Sequence, residues 1–232
     1  MKDALFSLYH GGLNMKQKRF TPDFFDEDYF EKGTKSLYGL KRIDGRFFVP
    51  YSEKWYYPRD VDFVKRLEGT NQINFSSQIL VIGCAKGFLV GAFRDLGYRA
   101  YGMDISRYAL LHARSQDKKF LICADVIDQP FKSEYFDFLV ASDILEHVPK
   151  SYLRKAISET IRLVKGGGFI YLKVPYLHED TKPPVPEDSE DKSHVSILPI
   201  IFWKKAFVPQ CQVFFFVSDD SNCVIIFRKE SQ

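Results

Sequence analysis

The sequence predicts an α/β fold with a doubly wound, mostly parallel sheet that ends in an antiparallel hairpin. Three observations carry this expectation. Short apolar runs alternate with helix-period segments from Gln78 to Pro175, the pattern of strand–helix–strand units on a parallel sheet. The first run, Ile79–Ile82, stops abruptly at Gly83-Cys84-Ala85-Lys86-Gly87 before an apolar helical segment. Near the other end, Gln212–Val217 and Cys223–Phe227 are apolar runs joined by Ser218-Asp219-Asp220-Ser221, a hairpin signal.

Taken in order, Met1 to Leu13 reads either as a short amphipathic helix ended by Gly11-Gly12 or as disorder. Thr21-Pro22-Asp23 is a helix start, since proline suits the first turn. Gly33 to Arg46 reads as loop, and Pro58 starts a helix over Arg59–Leu67 with Val61, Val64 and Leu67 on one face. From Gln78 the strand Ile79–Ile82 leads to helix Gly87–Leu96. Strand Arg99–Met103 ends at Asp104, and helix Arg107–Arg114 follows. Strand Phe120–Cys123 ends at Ala124-Asp125, and strand Phe136–Ala141 at Ser142-Asp143. A helix over Ser151–Val164, closed by Lys165-Gly166-Gly167, precedes strand Phe169–Val174. Leu177 to Ser193 is rich in proline and charge and too long for an ordinary connection, which fits a lid or a solvated loop. A helix over Ser196–Phe207 precedes the hairpin. By composition, residues 1–70 form an aromatic-rich extension and 71–232 the main domain.

Right-handed crossovers put every parallel strand's C-terminal end on one edge of the sheet, where ligands bind. Asp104, Asp125 and Asp143 all fall on that edge, beside the glycine turn. Each alone would serve as a helix cap; three together argue for a ligand. The turn itself suits a nucleotide-type cofactor, because small residues allow close approach and a helix end offers free N–H groups.

Composition narrows the classes. The chain has 232 residues, 45% hydrophobic and 27% charged, enough for a real core. A net charge of +3 and a single small basic cluster at Lys16, Lys18 and Arg19 disfavour a nucleic-acid partner. Many of the 22 Phe and 13 Tyr cluster before residue 60, as pocket lining or as a satellite core. Cys84, Cys123, Cys211 and Cys223 form no CxxC pair, and the five histidines show no metal spacing, so no metal is expected. Asp3 interrupts any secretory apolar stretch, and no run spans a membrane; a reducing cytoplasm is the expected location. The sequence leaves the oligomeric state open.

These residues resemble the class I S-adenosylmethionine-dependent methyltransferases. Gly83, Ala85 and Gly87 form a G-x-A-x-G turn similar to that family's G-x-G-x-G. Asp104 matches its ribose-binding acid and Asp125, in CADV, its acid near the adenine. SDILEHVP (Ser142–Pro149) and VKGGGFIYLKVP (Val164–Pro175) resemble its fourth- and fifth-strand motifs. DYFEKG (Asp28–Gly33) and DKSHV (Asp191–Val195) resemble flanking features of a small-molecule branch. The resemblance implies a Rossmann-like sheet of seven strands and S-adenosyl-L-methionine as cofactor, held by Gly83, Cys84, Ala85, Gly87, Asp104, Ile105, Asp125, Val126, Ser142 and Tyr38. It implies methyl transfer to a small-molecule O or N acceptor, with Asp143, His147 and His194 as the acid–base candidates. Val81 stands where the family carries an acid, and Tyr38, Tyr56 and Arg59 are candidates to replace its contact. A nicotinamide oxidoreductase is disfavoured because its fingerprint needs G-x-G-x-x-G. A non-catalytic partner subunit is the other alternative.

Overall fold

A computed structural model describes residues 19–43, 45–177, 191–219 and 222–231. Met1 to Leu13 and most of the Pro-rich stretch, residues 178–190, lie outside them. Eight strands make the main sheet: β3 (Gln78–Ile82), β4 (Arg99–Asp104), β5 (Leu121–Cys123), β6 (Phe136–Ser142), β7 (Val164–Leu177), β8 (Leu198–Pro199), β9 (Cys211–Ser218) and β10 (Asn222–Lys229). Their order is β5-β4-β3-β6-β7-β10-β9, with the two-residue β8 beside the end of β7. The path of seven strands is the expected sheet. β10 lies antiparallel between β7 and β9, and β3 to β7 run parallel.

The central strands are buried on both faces, which is why they read as continuous apolar runs rather than alternating ones. Ile79 and Val81 face one layer, with Val64 and Leu67 of α1 (Glu53–Glu68) and Val90 and Phe93 of α2 (Phe88–Asp95). Leu80 and Ile82 face the other, with Leu153, Ile157 and Ile161 of α4 (Lys150–Leu163) and Phe202 and Trp203 of α5 (Ile200–Ala206). A short helix, α3 (Arg107–Leu111), follows β4.

Four boundaries differ from expectation. α1 begins at Glu53 and carries Pro58 inside it. The Trp55 and Tyr56 amides bond back to Ser52 O, and Tyr57 donates its hydroxyl to Asp95 Oδ2 at 2.5 Å; these contacts hold the turn before the proline. Pro58 is exposed, so water reaches the carbonyl left without a donor. β7 starts at Val164 rather than 169. The triple glycine runs as strand because a Cβ on Gly168 would lie 2.8 Å from Asp137 O, so only glycine permits the approach to β6. α3 stops at Leu111, and Arg114 instead binds Asp95 and Asp117 with its guanidinium. α5 starts at Ile200, because the Val195 and Ser196 amides are spent on Glu146 O. At the end of the stretch expected as loop and just beyond it, β1 (Lys41–Ile43) and β2 (Arg46–Phe48) form a small hairpin.

Trp203 is fully buried, and its indole N–H has no partner among the described residues. Trp203→Ala should therefore cost about 3–5 kcal/mol, while Trp203→Phe, which removes the unpaired donor, should cost much less. Urea unfolding of the three proteins measures both values.

Candidate cofactor and acceptor site

The site grows from the end of β3. Gly83, Ala85 and Gly87 all take left-handed backbone angles, with φ of 66°, 49° and 72°. A Cβ on Gly83 would lie 2.8 Å from the Ile144 side chain, so that glycine is required; Ala85 adopts its angle at a cost of about 1 kcal/mol. Asp104, at the end of β4, fixes the turn. Its Oδ2 accepts the Ala85 N–H at 2.7 Å and its Oδ1 the Ser106 N–H at 2.7 Å. Burial raises its pKa while these amides pull the other way. The carboxylate keeps lone pairs for a ligand.

The N-terminal arm folds down over this turn. Lys86, buried within it, pairs with Glu31, which belongs to a π-helical turn over Asp28–Lys32. Ser106 accepts the Ala109 N–H as the cap of α3 and donates its hydroxyl to Phe25 O. Tyr29, Phe30, Ala85 and Ala109 form a small buried cluster with Phe24, Phe25, Tyr38, Tyr51 and Tyr108 around it. The aromatic residues are thus both a satellite core and pocket lining.

Between arm and sheet edge lies a cavity of about 400 Å³, in the range of small-molecule sites. Of the residues expected to hold cofactor, Gly83, Cys84, Ala85, Asp104, Ile105, Asp125, Val126, Ser142 and Tyr38 line it. Gly87 does not; it starts α2 and packs against Leu121. Asp143 and His147 also line it, whereas His194 stands behind His147, ring centroids 4.9 Å apart. Tyr38, Tyr56 and Arg59, the candidates to replace the acid absent at Val81, all reach the cavity, as does Val81 itself.

The electrostatics divide the walls. Asp125 pairs with Arg19 and accepts the Ile127 N–H at 3.0 Å. Asp143, at φ 55°, binds Lys173 Nζ through both oxygens at 2.9 and 2.7 Å. Burial raises the Tyr29, Tyr38 and Tyr51 phenols well above their usual range and Tyr56 to about 12, so these rings are neutral faces. Burial lowers His147, and His194 falls to about 4 because it is also beside His147.

Two carboxylates were missed by sequence reasoning. Asp60 enters the cavity from α1; its place on one helical face with Tyr56 and Phe63 was the available signal. Glu146 lay inside a quoted motif, but no spacing rule marks a buried acid. The site fits S-adenosylmethionine on chemistry: a buried carboxylate with spare lone pairs beside a tight turn, and neutral aromatic faces suited to a sulfonium cation.

Comparison with known proteins agrees. Residues 80–172 match the methyltransferase domain family. Over 99 residues the chain is 32% identical to a tRNA (carboxymethyluridine(34)-5-O)-methyltransferase of Arabidopsis thaliana, covering 42% of this chain and 24% of that protein. Over 101 residues it is 31% identical to a ubiquinone biosynthesis O-methyltransferase of Thiobacillus denitrificans, covering 40% and 42%. The matches thus span less than half of either relative. A Bacillus halodurans crystal structure, provisionally described as a methyltransferase, superposes with a TM-score of 0.60 at 14% identity, over 74% of this chain and all of that one. Residues 80–172 thus carry a methyltransferase domain, and the sheet order and the turn around it are similar to those of the class I S-adenosylmethionine-dependent methyltransferases. Among the described residues no helix is long and apolar enough to cross a membrane.

Burial lifts the Asp60 carboxyl to about 7, with Arg59 opposing. A folded pKa above the unfolded one costs stability as pH rises from about 4 to about 7. Asp60→Asn should match the parent near pH 4 and exceed it above pH 7 by on the order of 4 kcal/mol. Urea midpoints across that range measure the gap.

Proposed function

We propose that the protein transfers a methyl group from S-adenosylmethionine to a small-molecule oxygen or nitrogen acceptor in the cavity under the aromatic arm. The observation that carries this reading is that one cavity joins the Asp104 turn to Asp143 and His147. Asp104 holds the ribose hydroxyls with its remaining lone pairs, Asp125 and Val126 hold the adenine, and Gly83, Cys84 and Ala85 face the amino-acid end. Ser142 and Ile105 complete the wall. Asp60 supplies the carboxylate that Val81 lacks, which suits an ammonium group; Tyr38 and Tyr56 flank it. When bound, the cofactor supplies a methyl group already activated by its positive sulfur.

The chain's own work is alignment and exclusion of water. The arm's Phe25, Tyr29 and Phe30 line the cavity on the side away from the sheet edge, and the neutral phenols present ring faces rather than competing anions. Asp143, oriented by Lys173, takes the acceptor's proton where one must leave. His194, with a pKa near 4, is too weak a base for that step near neutrality. The ubiquinone-pathway relative supports a small-molecule acceptor, and the mild charge of this chain agrees; the tRNA-modifying relative is the reason to test RNA alongside.

Asp104→Ala should weaken S-adenosylmethionine binding at least tenfold in calorimetric titration, with Asp104→Asn intermediate; unchanged affinity in both sinks the ribose assignment. With methyl-labelled cofactor, label should enter a small-molecule extract fraction and stay out of tRNA. Label in tRNA alone would replace the acceptor class.

A further inference from the structure

Glu146 sits in a single 3-10 turn, Leu145–His147, between β6 and α4. It is 0% exposed, and neither carboxylate oxygen has a hydrogen-bond partner among the described residues. A buried carboxylate left so costs several kcal/mol unless a proton or a cation meets it. Its neighbours are electron-pair donors. His147 Nε2 lies 4.0 Å from Glu146 Oε1, and one ligand atom each from Glu146, His147 and His194 falls within 4.8 Å of the others.

The trio is held from behind. His147 Nδ1 lies 2.7 Å from Ser193 Oγ, and that hydroxyl donates to Asp191 Oδ1, so Nδ1 carries the hydrogen and Nε2 its lone pair. Asp191 is fixed in turn by the Ser193 N–H at 3.0 Å and the Tyr29 hydroxyl at 3.3 Å. The Val195 and Ser196 amides bond Glu146 O at 3.0 and 2.9 Å, which clamps the His194 segment to the His147 turn. A carboxylate behind a hydroxyl behind an imidazole is the outer shell that orients metal-binding histidines. Three carboxylates, Asp143, Glu146 and Asp191, bear on the place electrostatically, with Lys173 opposing from Asp143.

We propose that Glu146, His147 and His194 bind one divalent first-row transition cation at the inner wall of the cavity. Two imidazoles and one carboxylate suit Mn2+, Co2+ or Zn2+ better than Mg2+ or Ca2+, which prefer all-oxygen sets. Three protein ligands leave coordination open, and His147 is the member that lines the cavity, so the open side faces the acceptor. The site is invisible in sequence spacing because His194 comes from a segment far along the chain, brought in by the clamp on Glu146. Cation binding does not depend on the methyl-transfer reading.

The test uses the full chain, stripped with chelator and titrated with CoCl2. One Co2+ per chain should bind with visible absorption of histidine-ligated cobalt. Glu146→Gln and His194→Gln should each lower affinity at least tenfold, and Ser193→Ala, which leaves all three ligands, about tenfold. Asp104→Ala should lose S-adenosylmethionine affinity yet keep that for Co2+, so failure of one reading is told from failure of the other. The proposal is overturned if the folded parent takes up no Co2+, or if Glu146→Gln and His194→Gln bind it as tightly as the parent does.

Discussion

Everything at the ligand edge depends on one carboxylate that bonds two backbone amides. Asp104 joins the turn after β3 to the start of α3 through the Ala85 and Ser106 N–H groups. From Ser106 the connection passes to Phe25 in the arm, and the turn's own Lys86 reaches Glu31 in the same arm. The sheet edge and the cover are therefore positioned by a single short network. Charge-assisted bonds of this kind are among the stronger ones, and inside a buried site they fix geometry more firmly than aromatic packing alone.

The arm adds area rather than direction. Many of its rings meet edge-on or tilted, as at Tyr51–Tyr56 with centroids 4.3 Å apart and Tyr29–Phe25 at 5.0 Å, while Phe30 stacks on Tyr38. Their hydroxyls stay protonated, so the arm covers without charging. Apart from Arg19 at the start of the arm, charge comes from α1 and from the strand ends, and the cavity balances Asp60, Asp104, Asp125 and Asp143 against Arg19, Arg59, Arg66 and Lys173.

The sheet was legible because buried parallel strands leave unbroken apolar runs, and because the strand-end aspartates fall at one height by topology. The ligand edge beside the glycine turn followed from those two facts, and the cofactor roles proposed for its residues come from the family resemblance. What escaped depends on tertiary contact. Pro58 reads as a helix start until Tyr57 is seen bound to Asp95. Lys165-Gly166-Gly167 reads as a helix stop until β6 is seen to pass close beside Gly168. The β1–β2 hairpin has too few apolar positions to show a period of two. Glu146 is one letter of the SDILEHVP motif with no spacing to mark it as buried, and the clamp from Val195 and Ser196 holds the His194 segment against it.

The place of β10 between β7 and β9 also sets the order in which the chain can finish. β7 is complete once Leu177 has been made, but its partner runs to Lys229. At about 5–20 residues per second, a long apolar strand with one side unpaired waits some seconds on the ribosome for its neighbour. During those seconds the unpaired edge of β7 is open to pairing with another chain.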